Sequence, residues 1–327
     1  IDVVPSALTT DITVTLPTDS GKLALTSEIP SIVAGTGIAV NYVGTAATIS
    51  ATGGGGGSGG TELIDEGNGN GLVIAGRTAA NYGNVGLGAV DLGFNSSPST
   101  TIGATGRYSI VGGGDGNTAS STYSTVNGGY GNSASGDYST VSGGYSNTAS
   151  GGYGANISGG QFNTASGEYY STVGGGNNNT ASGYTAPTVS GGNGNTASAT
   201  YSTVGGGKGN TSSGEGSTIV GGVDNNATGN HSTVGGLKNT AGGIGETIFG
   251  IQATTYTSGP GTTRLFAIGN GGLSTYSDAF QVYASGGIVL SPTTQPGETI
   301  EGMMYYDSAT NKIKFYNGTA WVEIATV

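Results

Sequence analysis

Cysteine is absent from this chain of 327 residues, histidine and tryptophan occur once each, and Lys and Arg together number 8. Without cysteine there is no disulfide framework, no thiolate nucleophile and no Cys-based zinc site. The 19 acidic residues leave a net charge of −11, which argues against nucleic acid, whose binders line a phosphate track with Lys and Arg. Charged residues are only 8% of the chain, so it is not solvated as charge-rich disordered chains are. No apolar run approaches the length of a membrane span, and no signal peptide is visible. The chain opens on Ile1 rather than Met, as a processed product or a piece of something longer would. Leu, Ile and Phe are scarce for a conventional core of this size. What abounds is glycine, 69 residues, and tyrosine, 18. Such a composition suits a solenoid or a fibre, which needs little core per residue.

Self-similarity sets the fold before local propensity does. The phrase YSTVSGGYSNTASG at 138–151 recurs on both sides. Anchored on the apolar residue before a glycine pair, the copies fall at Val111, Val126, Val141, Ile157, Val173, Val189, Val204, Val220, Val234 and Phe249. Their spacings are 15, 15, 16, 16, 16, 15, 16, 14 and 15 residues. Six residues beyond the anchor stands an asparagine: Asn117, Asn132, Asn147, Asn163, Asn179, Asn195, Asn210 and Asn226. Asn239 follows its anchor by five. Nearly all length variation therefore lies between Asn and the next anchor, with inserts such as GEYY at 167–170 and GYTAP at 183–187. One corner of each repeat tolerates extra residues.

Period-two alternation appears twice per repeat. Ser139, Val141 and Gly143 share a face opposite Thr140 and Ser142, and Asn147 and Ala149 share a face opposite Thr148 and Ser150. About fifteen residues are too few for a strand and a crossover helix. The expectation is an all-β chain: a parallel β-roll, or narrow β-solenoid, of about ten coils of 14–16 residues. Val and Ala point inward, Thr and Ser outward, and glycine serves corners that need positive φ.

These repeats resemble the head repeats of trimeric autotransporter adhesins and the same module in bacteriophage tail fibres. The resemblance covers roughly 103–250 and rests on ten copies rather than on any one. It implies a left-handed parallel β-roll, three of which pack about a threefold axis. The familiar bacterial repeat has a shorter, steadier period, and this chain departs from it there.

The flanks are similar to phage-fibre segments too. The stretch DITVTLPTDSGKLALTSEIP at 11–30 and the β-branched run after it resemble short fibre repeats, giving an N-terminal segment at 1–52. A Gly/Ser hinge follows at 53–60, then an irregular β run-in at 61–102 and the roll at 103–250. RLFAIGN and DAFQVYASGGIVLS resemble roll-closing segments and mark a neck at 251–300. The end, 301–327, resembles a fibre tip and can also be read physically. Asn317-Gly318 signals a two-residue hairpin, pairing Tyr316 with Thr319, Phe315 with Ala320, Lys314 with Trp321, Ile313 with Val322 and Lys312 with Glu323. Lys314 beside Trp321 would make a cation–π contact, and Lys312 beside Glu323 an ion pair.

Reactive chemistry has few carriers. His231 sits at a variable corner and reads as a surface turn residue. Asp65-Glu66 and the pair Glu298 and Glu301 raise glycoside hydrolysis, yet a narrow coil offers no groove for it. GGGDGNTAS resembles a calcium repeat, but Asn117, Asn132 and Asn147 stand where aspartate is needed, so an Asn ladder is expected instead. The threonines before the anchors, Thr125, Thr140, Thr172, Thr188, Thr203 and Thr233, raise an ice-binding face interrupted at Ile110, Asn156 and Ile219. Corner tyrosines (Tyr108, Tyr123, Tyr138, Tyr170 and Tyr201, with Tyr130 and Tyr145 across the coil) either cover the turns or stack on sugars.

No enzyme activity, cofactor or metal is expected. The expected partners are two further copies of the chain, tail or baseplate proteins at the N-terminal segment, and a host-surface glycan or protein. Receptor contact falls to Trp321, Tyr316 and Lys314 at the tip. The expected location is the virion tail, or, if the chain is the passenger region of a bacterial adhesin, the cell surface.

Overall fold

The computed structural model describes residues 38–43, 46–51, 61–65, 70–74, 82–96, 99–255, 263–272, 275–290, 292–293 and 303–324. Residues 1–37, the tract 53–60, Glu66, Glu298 and Glu301 lie outside them. Two compact units divide within the Gly/Ser tract, Ile1–Gly57 and Ser58–Val327. In the first, Ile38–Val43 pairs antiparallel with Ala46–Ala51, flanking Gly44-Thr45.

Among its described residues the second unit is all strand and turn, a parallel β-solenoid of about 12 turns. At the ~4.8 Å spacing of stacked strands the coils rise roughly 55–60 Å. Each coil adds a short strand to two sheets. One sheet takes the Thr-Val dipeptides, such as Thr140–Val141 against Thr125–Val126; the other takes Thr-Ala, such as Thr148–Ala149 against Ser133–Ala134. We call them the valine and alanine sheets. The inward residues form one continuous buried file on each side, from Val111 to Ile248 and from Ala104 to Ala241.

The valine sheet reaches beyond the repeats at both ends. Asn70–Ile74 pairs parallel with Val90–Asp91, which pairs with Ile110–Val111, and Val73, Val85 and Ala89 are buried in the same core. The stretch expected as an irregular run-in is thus partly solenoid. At the far end Arg264–Asn270 continues the parallel run beside Thr247–Ile251. The chain then reverses: Asp278–Tyr283 and Ile288–Leu290 add antiparallel strands. A separate four-stranded sheet contains Pro292–Thr293, Met304–Asp307, Lys312–Tyr316 and Trp321–Glu323.

Three repeat positions are shifted by one residue from expectation. Ile219 and Ile248 are the buried anchors, while Val220 is 55% exposed and Phe249 38%. Asn225 is the buried asparagine, and Asn226 takes the outward place beside Thr211. In each case two similar residues adjoin, and the period-two pleat admits only one of them inward. The register is set by Ser217-Thr218 and Glu246-Thr247, which align with Ser-Thr in other coils. The threonine rank consequently runs unbroken through Thr172, Thr188, Thr203, Thr218, Thr233 and Thr247; Ile219 does not interrupt it.

The asparagines form a buried ladder with their bonds satisfied. Asn163 Nδ2 donates to Gly159 O (3.0 Å) within its coil and to Gly176 O (2.9 Å) in the next. Its Oδ1 accepts the Asn179 amide at 3.0 Å. The pattern repeats through Asn239, whose Oδ1 accepts the Ala253 amide at 2.8 Å. A buried amide would cost about 1–3 kcal/mol if unpaired, so each coil fixes the next. The glycine facing it has no alternative: a Cβ on Gly176, at φ +90°, would lie 2.2 Å from Gly192 O.

Candidate interaction surfaces

The solvent-accessible charges of the coils lie at their corners. Arg107, Asp115, Asp137, Glu168, Lys208, Glu215, Asp224 and Lys238 all lie outside the two-residue strands, which present Thr, Ser, Asn or Gly outward through the middle coils. The outer face of the valine sheet changes character at its C-terminal end. Val220 and Phe249 reach across Gly235, where a Cβ would meet both at under 3.0 Å. Phe249 is paired with Ile268, Ile268 with Phe280, and Phe280 with Leu290, giving an apolar strip. At Leu290 the strip meets an open cleft of about 650 Å³ lined also by Ile288, Val289, Met304, Tyr306, Ile313 and Ile324.

Between coils and cap lies a buried charge cluster unforeseen in the sequence. Arg264 Nε donates to Glu246 Oε1 (2.6 Å), Nη1 to Asp278 Oδ2 (2.9 Å), and Nη2 to Thr254 O (2.8 Å). The amides of Gly243 and Thr254 bond the remaining carboxylate oxygens. Desolvating three charges is tolerable only with such complete pairing, and losing one partner of a buried pair costs about 3–5 kcal/mol. A signal existed: Glu246 fills the slot held by Ser109, Ser124, Ser139, Ser171, Ser202, Ser217 and Ser232, and a buried carboxylate demands a cation. Asp91, likewise buried, aligns with Val111 at the other end and accepts the amides of Gly93 and Ala104.

The C-terminal strands pair two residues off the expected register: Lys314 faces Glu323, Phe315 faces Val322 and Tyr316 faces Trp321. The two-residue turn gives way to a longer loop. Asn317 Oδ1 accepts from the amides of Thr319 and Ala320 at 3.0 and 2.8 Å, and only Gly318 takes positive φ. A slip of two keeps every side chain on its face. The expected cation–π contact is replaced: Lys314 Nζ lies 2.5 Å from Asp307 Oδ2, and Trp321 packs on Tyr305 and Tyr316, centroids 4.6 and 5.4 Å away. Lys312 and Glu323 do form an ion pair, at 2.6 Å. Hydrogen bonding from Lys314 pulls the Asp307 carboxyl down to about 2, and Asp307 holds the Lys314 ammonium above its ordinary value. Trp321, Tyr316 and Lys314 thus share one face but are engaged within the sheet.

The corner tyrosines form a column. Tyr108, Tyr123, Tyr138, Tyr153 and Tyr170 follow one another at 5.1, 5.1, 4.7 and 5.7 Å, the first three stacked and the last pair edge-on. Tyr130 and Tyr145 stack across the coil at 5.3 Å. Burial, with Tyr138 and Tyr170 beside it, raises the Tyr153 phenol; Tyr184 raises that of Tyr169. These phenols stay protonated at neutral pH and offer donors. His231 occupies the same corner at φ +58°, its ring over Gly216.

The architecture defines an all-β parallel solenoid with an antiparallel cap. The chain matches no protein-family model and no curated protein sequence.

Proposed function

We propose that this chain is a non-enzymatic bacteriophage tail fibre that assembles as a homotrimer and attaches the virion to a host surface. The observation that carries this reading is the outer face of the valine sheet. It bears no charge through the middle coils and ends in the apolar strip from Val220 through Phe249 and Ile268. Copies that each carry net charge −11 repel, so they meet best where charge is absent. A contiguous apolar patch marks an interaction site rather than scattered exposure. One coil also buries little more than a Val and an Ala, so contact between chains supplies stability that the coil lacks.

In this reading the first fifty or so residues join tail or baseplate proteins, and the C-terminal sheet with Trp321, Tyr316 and Lys314 shares in receptor contact. The resemblance of the repeats and flanks to fibre sequences favours a virion tail over the passenger region of a bacterial adhesin, the second reading. Copurification with virions tests the assignment, and recovery only with bacterial envelopes would favour the second. Native mass measurement tests the assembly. A trimer is expected, and Phe249→Asp with Ile268→Asp should dissociate it; a stable folded monomer at micromolar concentration would refute it.

A further inference from the structure

We infer that the insertion corner carrying Tyr170, Tyr184 and Tyr201 is a binding platform for an uncharged carbohydrate chain. The inference rests on the attachment reading and names its ligand class. Tyr170 and Tyr201 adopt left-handed backbone, φ +55° and +57°, which costs an L-residue roughly 1–2 kcal/mol. Glycine fills the same corner at Gly154, Gly216 and Gly245 without that cost. At Tyr108, Tyr123 and Tyr138 ring stacking offsets the strain, by about 0.5–1.5 kcal/mol per pair. Tyr201 has no such return: its corner neighbours are Ala186 and Gly216, and no ring among the described residues stacks on it.

These three rings are also the most open tyrosines of the coils, 56%, 63% and 59% exposed. Tyr170 and Tyr184 meet their neighbours edge-on, at 82° and 80°, and an edge-on contact uses the face of one ring only. Tyr184 is itself an inserted residue: the strand-like bridge passes from Tyr169 to Thr185, leaving Tyr184 outside the common frame. Tyr170 and Tyr201 share one corner slot two coils apart, about 10 Å at the ~4.8 Å rise. Tyr184 stands on the coil between them, two residues before the Ala186 that fills the slot, a staggered patch suited to an extended chain of rings.

The surroundings select the ligand. Ser182 and Ser198 are exposed beside the rings and Thr185 and Thr200 half-exposed, and no Leu, Ile or Val faces outward between Ser166 and Ser202; the corner's exposed aliphatic, Ile244, lies three coils beyond Tyr201. A protein partner would bring aliphatic side chains and find none to meet, as it would at the strip of Val220, Phe249 and Ile268. A sugar offers C–H faces to aromatic rings and hydroxyls to Ser and Thr. The excess of acidic residues disfavours an anionic polymer.

The test is an array of uncharged linear oligosaccharides probed with the full chain, with melting measured for each variant. At least one sugar should bind, and Tyr184→Ala with Tyr201→Ala should weaken it about tenfold. Tyr201→Gly should bind more weakly yet melt no lower, because it removes the ring and the backbone strain together. Tyr123→Ala, in the self-stacked part, should leave binding unchanged. A blank array, or equal losses from Tyr123→Ala and the double variant, overturns the proposal. Labelled chain on a panel of bacterial cells separates the two ideas. Cell binding with a blank array overturns the corner alone, whereas sugar binding without cell binding leaves the corner and overturns attachment.

Discussion

The two corners of each coil obey opposite rules. Between anchor and asparagine the chain is held by a buried amide with bonds to its own coil and to both neighbours, against glycines that have no room for a Cβ. Between asparagine and the next anchor it bends through exposed Tyr, Gly, Ala or His, and three successive coils, ending at Ile157, Val173 and Val189, carry an extra residue there. Buried polar satisfaction fixes length, whereas a solvated turn needs only to return the strand to register.

The contrast breaks first under insertion. One residue added between Val173 and Asn179 should abolish cooperative melting, since every side chain beyond it would swap inside for outside until the chain slipped back. Two residues added within 182–186 should leave the melting transition nearly unchanged. Equal tolerance at the two corners would show that the asparagine does not set coil length.

Substitution probes the same difference more gently. Asn163→Ala strands Gly159 O, Gly176 O and the Asn179 amide, and should cost about 2–4 kcal/mol in denaturant unfolding. Tyr138→Gly, at the opposite corner, trades a stacking contact for relief of φ +56° and should stay within about 1 kcal/mol of the parent. In the C-terminal loop Gly318→Val should lower the stability of its sheet by about 1–2 kcal/mol, because Gly318 sits at φ +91°.

The smallest effect expected is a response to acid. The asparagine ladder has no titrating group, while the C-terminal sheet is pinned by Lys314 and Asp307. Because the Asp307 pKa is depressed to about 2, its contribution is complete above the unfolded value of about 3.9 and is lost as pH falls toward 2. The chain has a single tryptophan, Trp321, against Tyr305 in this sheet. Its fluorescence should change between pH 4 and pH 2 in the parent chain and be flat over that range in Asp307→Asn.

Much of the coil was legible because its physics is periodic. Fixed spacing exposed the asparagine, and alternation separated Val141 and Ala149 from Thr140 and Thr148. Hydropathy failed where neighbours were alike: Ile219 and Val220, Ile248 and Phe249, Asn225 and Asn226. There the preceding Ser-Thr or Glu-Thr pair held the register. Coils before Val111 share backbone pairing with the repeats but not their phrase, so nothing in composition marks them. In the C-terminal hairpin the side chain of Asn317 outweighed the dipeptide rule by capping a wider loop. The apolar strip was hidden because its members lie on five strands and meet only once the sheet is built.

Stacking order also dictates how this unit would respond to force. The parallel run begins at Asn70–Ile74 and ends at Arg264–Asn270, so the chain enters at one end of the stack and leaves at the other. Hydrogen bonds between coils point along the stack, and tension applied through the two chain ends loads them one coil at a time rather than all together. Extension should proceed as a series of similar steps. Each coil of 15 or 16 residues would release roughly 50 Å of contour at about 3.3–3.6 Å per residue. A bundle of such stacks would yield by shedding single coils, absorbing a sudden load in small increments while the remaining coils keep their shape.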